Sequence, residues 1–114
     1  MSVSDGYRTF VVDQLNRVTP TTARAMFGGV GLYSRGMFYA LMDDDVTYLK
    51  VDDVTRPQFE AAGVGPFRPF PDQPEAVMQY YELPADALDD VERLAPWVSL
   101  ALDAASRARR RKRR

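Results

Sequence analysis

A chain of 114 residues, 46 % of them hydrophobic and 27 % charged, has room for one soluble globular domain around a single core. It contains neither cysteine nor histidine, which excludes disulfides, thiolate or imidazole metal sites, catalytic thiols and serine–histidine triads. No window approaches the roughly 18 uninterrupted apolar residues of a membrane span, and the Met1-Ser2-Val3-Ser4-Asp5 start has no signal-peptide pattern, so a cytoplasmic protein with no membrane partner is expected.

Tyr7, Phe10, Val11, Leu15 and Val18 recur at helical spacing, with Ser4 or Ser2 placed to cap. They predict a helix over about residues 4–17, stopped by Thr19-Pro20. From Thr22 to Asp52 the period becomes two. Ala23, Ala25 and Phe27 alternate with Arg24 and Met26, and Gly28-Gly29 predicts a bulge or corner. Val30 to Tyr33, Met37 to Met42 and Val46 to Val51 follow, separated by Ser34-Arg35-Gly36 and Asp43-Asp44-Asp45. Short β-rich runs joined by polar turns predict an antiparallel meander.

Residues 52–63 predict a short helix, with Thr55 as cap, Pro57 in the first turn, Phe59 and Ala62 facing inward and Gly63 closing it. Four prolines make residues 64–75 an extended connection with a short edge strand over 67–70. Ala76 to Leu83 predicts a strand with Val77, Gln79 and Tyr81 on one face and Met78, Tyr80 and Glu82 on the other. Leu88, Val91, Leu94, Val98, Ala101 and Ala105 then form one helical stripe across Pro96, where a kink, a break or a new helix start is expected. Trp97 beside the stripe is expected on the sheet. The fold class is α+β: a two-layer sandwich of a mainly antiparallel sheet of four to six strands with an N-terminal, a short middle and a C-terminal helix.

The charge is unevenly spread. Arg107, Arg109, Arg110, Arg111, Lys112, Arg113 and Arg114 place seven of the fifteen bases in the last eight residues. That leaves eight bases against sixteen acids, about −8, on residues 1–106, and +7 on a basic tail over 107–114. So dense a block is expected to stay solvated or disordered. It could solubilise the chain, contact the phosphates of nucleic acid non-specifically, or fold back on its own acidic body. The tail has no aromatic residue with which to stack a base.

Other chemistry fails when tested. A dinucleotide fingerprint from Gly29 meets Ser34 where glycine or alanine is needed, and a Walker loop from Gly31 meets Met37-Phe38 after Gly36. Asp43, Asp44 and Asp45 lack the spacing of a calcium loop, so no metal and no cofactor is expected. Asp52-Asp53, Glu82 and Asp89-Asp90 are the carboxylate clusters near element ends, and without histidine or cysteine they point to no enzyme. A sheet face left uncovered by three helices would serve a protein partner or a homodimer.

Arg24-Ala25-Met26-Phe27-Gly28-Gly29-Val30-Gly31-Leu32-Tyr33 resembles the signature of the N-terminal domain of the TfoX/Sxy family. Met37-Phe38-Tyr39-Ala40-Leu41, Tyr48-Leu49-Lys50-Val51-Asp52, residues 56–63, Met78 to Pro84, and Leu94, Trp97, Ala101 and Ala104-Ala105 follow in the family's order. The resemblance covers roughly residues 5–105 and departs at Pro96 and at the arginine-rich end. It implies helices over a mainly antiparallel sheet, and a non-enzymatic regulator. Full-length members regulate natural competence, and are thought to act with the cyclic-AMP receptor protein. They carry a second helical domain, so this chain is expected to be the N-terminal domain alone. Arg24, Met26, Phe27, Gly28, Gly29, Gly31, Tyr48, Leu49 and Lys50 match the motif, where hairpin geometry and a buried or edge cation explain them structurally.

Overall fold

In the computed structural model, which describes residues 3–26, 28–68 and 79–112, the chain opens with α1, Asp5–Asn16. The Ser4 hydroxyl caps it by accepting from the Tyr7 amide, and Asp5 sits in the first turn, where the helix dipole favours an anion. Val11 and Leu15 are buried on its inner side. The Asn16 carboxamide donates to the Thr21 carbonyl and accepts from the Thr21 amide, which ties the helix end to the first strand.

Five strands follow: β1 (Thr22–Met26), β2 (Gly29–Ser34), β3 (Met37–Asp43), β4 (Val46–Lys50) and β5 (Tyr80–Glu82). They pair antiparallel in chain order. Both predicted polar turns are two-residue hairpins with positive φ at each central position. Arg35 (φ 52°) and Gly36 (φ 79°) lie between the Ser34–Met37 pair, and Asp44 (φ 52°) and Asp45 (φ 57°) between Asp43 and Val46. Such turns match the twist of the flanking strands and favour asparagine and glycine. Arg35→Asn is therefore expected to raise stability by about 0.5–1 kcal/mol, read from thermal melting.

Gly28 (φ 82°) makes the corner between β1 and β2, whereas Gly29 is a ladder position opposite Met26. A Cβ on Gly29 would lie 2.5 Å from the Met42 carbonyl oxygen, so close backbone approach demands the glycine. The bulge is elsewhere. Leu32 pairs with Ala40 but Tyr33 with Phe38, which leaves Tyr39 as the extra residue of β3. Tyr39 is buried in the core, its hydroxyl shares a hydrogen bond with Thr21, and burial pushes its phenol up to about 12. Beyond the bulge Phe38 shares the face of Tyr33, the side away from the core.

Val30, Leu32, Ala40, Met42 and Leu49 form the inner face of the sheet. They join Val11 and Leu15 of α1 and Leu94, Val98, Ala101 and Ala105 of α3 (Val91–Lys112) in one core. α2 (Arg56–Ala61) adds Phe59, whose ring lies 6.1 Å from Tyr81 and 4.8 Å from Trp97. Trp97 thus packs on α2. Ala62 is exposed just past the end of α2, and Gly63 (φ 80°) closes that helix. Thr55 makes no cap: its hydroxyl accepts from the Asp52 amide at 3.1 Å, drawn back to the loop before it.

α3 runs unbroken through Pro96. The missing N–H leaves the Glu92 carbonyl without its partner, a loss localised near the start of a helix whose stripe is buried on both sides of it. Of the strand predicted over 76–83, Tyr80–Glu82 is seen as β5; residues 76–78 lie outside the described residues, as do 69–70 of the predicted edge strand. What is seen of that connection hydrogen-bonds to β5, with the Phe67 amide donating to the Tyr80 carbonyl and the Glu82 amide to Gly65. Among the described residues no helix is long and apolar enough to cross a membrane.

Candidate functional site

The helices pack on the inner face, and the outer face carries an organised row of side chains. The Arg24 guanidinium lies 5.3 Å over the Tyr33 ring. Tyr33 stacks on Phe38 at 5.1 Å, Phe38 meets Tyr80 at 5.3 Å, and the Lys50 ammonium lies 5.2 Å over Tyr80. Three rings are thus clamped between two cations, each contact with the geometry of a ring pair or a cation over a ring face. The bulge at Tyr39 is what brings Phe38 into the row. Burial and the nearby Tyr33 raise the Tyr80 phenol, which therefore stays neutral.

Most of the family-motif residues serve this face. Arg24 and Lys50 end the row. Gly31 leaves it room: a Cβ there would meet Met26 Sδ at 2.7 Å and the Phe38 and Tyr33 rings at 3.3 Å. Tyr48 packs on Phe67 at 4.7 Å, while Leu49 points the other way into the core. Gly28 and Gly29 shape the first hairpin, and with Ala25, Met26, Val3 and Arg8 they line a shallow groove. Phe27 lies outside the described residues.

The basic end is part of the fold. α3 continues to Lys112, so Arg107, Arg109, Arg110, Arg111 and Lys112 are helical rather than disordered, and from Arg109 on they are solvated as expected. Arg113 and Arg114 lie outside the described residues. Two things hold it. Cations in a last turn complement the helix dipole. Arg107 also reaches across 55 residues of sequence to Asp52, with Nε donating to Oδ2 at 2.6 Å and a second guanidinium nitrogen to Oδ1 at 3.0 Å. The Asp52 carboxylate is 12 % exposed and also accepts from the Val54 and Thr55 amides. The Arg107 bond, opposed by burial and aided by those amides, holds its acid at about 2. Of the three tail readings, folding back on the acidic body describes Arg107, while Arg109, Arg110, Arg111 and Lys112 stay exposed.

Arg109 donates to the Arg35 carbonyl in the β2–β3 turn, which sets the last turn of α3 beside the end of β4. Lys50 is held below its usual range first by burial and then by Lys112, with Asp52 opposing and Arg111 adding. Asp43, Asp44 and Asp45 gather at the other end of β3 and β4. Asp45 accepts from the Ser4 amide, and the Tyr7 and Tyr48 phenols are raised by burial first and then by Asp43, Asp44, Asp45 and Glu82. One pole of the domain is acidic and the other basic.

Three of the carboxylates singled out in the sequence have a structural partner. Asp52 holds Arg107, Asp53 pairs with Arg56 at 2.7 Å, and Asp90 caps α3 through the Glu92 amide while bridging Arg93. Among the described residues no three carboxylates converge on a point where a metal ion would bind. The row was hidden in the sequence because its register depends on the bulge. The alternation in the last strand put Tyr80 on the face opposite Tyr81, but nothing marked the sides of Tyr33 and Phe38.

A comparison with curated proteins finds no match. The family model described as the TfoX N-terminal domain matches residues 13–105, from within α1 to the last buried alanine of α3. That span holds the meander, the ring row and the core, and the chain belongs to the TfoX N-terminal domain family.

Proposed function

We propose that this chain is a non-enzymatic regulatory module of the cytoplasm. It acts in transcription regulation by docking a protein partner on the outer face of its sheet, and it pairs there with a second copy of itself. The observation that carries this reading is the row from Arg24 through Tyr33, Phe38 and Tyr80 to Lys50 on the face away from the helices. Aromatic and arginine side chains are the groups that anchor interfaces. Membership in the family adds the regulatory setting that the resemblance implies. Sedimentation equilibrium over 1–200 µM tests it: a concentration-dependent mass is expected, with Arg24→Glu weakening association about tenfold or more. A monomer throughout that range overturns the self-pairing.

A second reading is favoured by the ordered end of α3. Arg110, Arg111 and Lys112 stand exposed on a fixed helix beside Lys50, a surface suited to the phosphates of nucleic acid. Duplex DNA bound by a chain that stays monomeric would put this reading in place of the first.

A further inference from the structure

We infer that Lys50 and the last turn of α3 form one composite phosphate-binding surface for duplex nucleic acid, read through its backbone and not its bases. The inference rests on the second reading above and names both its residues and its ligand.

Four observations lead to it. The first is congregation of like charge. Arg110, Arg111 and Lys112 surround the helix end, Arg35 sits in the adjoining turn, and Lys50 comes from a strand sixty residues earlier in the chain. Helix-dipole complementarity accounts for cations in the last turn, yet not for Lys50 placed next to them. The lowered affinity of Lys50 for its proton reflects that crowding as well as burial.

The second is that the acids of the Asp52-Asp53 pair are already engaged. Asp52 is taken by Arg107 and Asp53 by Arg56. Among the described residues no carboxylate forms an ion pair with Lys50, Arg110, Arg111 or Lys112. Among the described residues these cations are open to an external anion, and a duplex supplies one negative charge per roughly 1.7 Å of axis.

The third concerns the acidic pole. The Asp43-Asp44-Asp45 turn lies four strand residues from Lys50 along β4, about 13 Å at roughly 3.3 Å per residue, beyond the Debye length of about 8 Å at physiological salt. A polyanion seated on the basic end is thus screened from Asp43, Asp44 and Asp45, while Glu82, opposite Tyr48, lies beside Lys50.

The fourth separates duplex from single strand. Single-strand binders stack bases on free ring faces. Here Tyr33, Phe38 and Tyr80 stand against one another, and the outer members are covered by Arg24 and Lys50. Recognition is left to the cations, which favours the dense, regular charge of a duplex.

The test is fluorescence anisotropy of the full chain with a labelled 20-base-pair duplex of arbitrary sequence, at 50 and 200 mM salt. With about four phosphate contacts, affinity should fall roughly 100-fold between those concentrations. Lys50→Gln should weaken binding several-fold and lower the salt slope by about one, as should Lys112→Gln at an exposed site outside the core. Circular dichroism checks that the Lys50 variant is folded. No duplex binding at 50 mM overturns the inference and the second reading together. Binding that Lys112→Gln weakens and Lys50→Gln leaves unchanged overturns the composite surface alone. A single strand bound tenfold more tightly than the duplex, or vesicles with 30 % anionic lipid bound equally well, overturns the choice of ligand.

Discussion

Phe59→Ala is expected to remove about 3–5 kcal/mol of stability, the largest loss from any single truncation considered for this domain. Phe59 is fully buried, and its ring touches both Tyr81 of β5 and Trp97 of α3. It is also the buried residue of α2, a helix of 6 residues. A helix that short has no stability of its own in water and persists only because its apolar face is packed. The truncation therefore opens a cavity and loosens the segment from Asp52 to Gly63 together. Urea denaturation followed by Trp97 fluorescence reads the loss as a lower midpoint. Phe59→Leu, which refills most of the space, should recover more than half of it; equal losses for the two variants would mean the ring itself, rather than the filled volume, holds α2.

Asp52→Asn is expected to cost about 2 kcal/mol at neutral pH and nothing near pH 2. Asp52 holds its acid at about 2, against an ordinary 3.8, because Arg107 and two backbone amides bind the carboxylate form. At 1.36 kcal/mol per unit, this difference corresponds to roughly 2 kcal/mol. The sign follows from linkage. A carboxyl whose acid is stronger in the folded state stabilises the fold above its unfolded value. That contribution fades as pH falls from about 5 toward 2. The measurement is the difference in unfolding free energy between wild type and Asp52→Asn, taken every half unit from pH 7 to 2.5. A difference that stayed constant with pH would assign the effect to lost packing. In a double-mutant cycle with Arg107→Gln the coupling should account for most of the loss, since the two side chains share both hydrogen bonds.

The same pair marks where sequence reasoning stops. Patterns of short range were legible: the stripe of α1, the period-two meander, the turns at Arg35-Gly36 and Asp44-Asp45, and the stripe of α3 across Pro96. These depend on neighbours within a few residues, and the chain states them directly. Arrangements set by distant partners were not. Arg107 meets Asp52 across 55 positions, so a run that looks self-repelling is helical instead. Thr55 has the chemistry of a cap, but the Asp52 amide claims its hydroxyl. The bulge at Tyr39 leaves no trace in alternation, and the partner of its buried hydroxyl is Thr21, 18 residues away. For the candidate surface, the cations and the motif could be named in advance, while the row and the closeness of Lys50 to Lys112 could not.

Strand order equal to chain order has a kinetic consequence. From β1 to β4 each strand pairs with the one just made, across turns of two residues. The entropy of closing each hairpin is small, and the sheet can grow one strand at a time without waiting for a distant segment. The costly closures come at the end of the chain, when β5 returns to β4 across the proline-rich connection and α3 lays its stripe over the finished sheet. Arg107 then joins Asp52 after most of the surface is already buried, so weakening that pair should hasten unfolding far more than it slows folding.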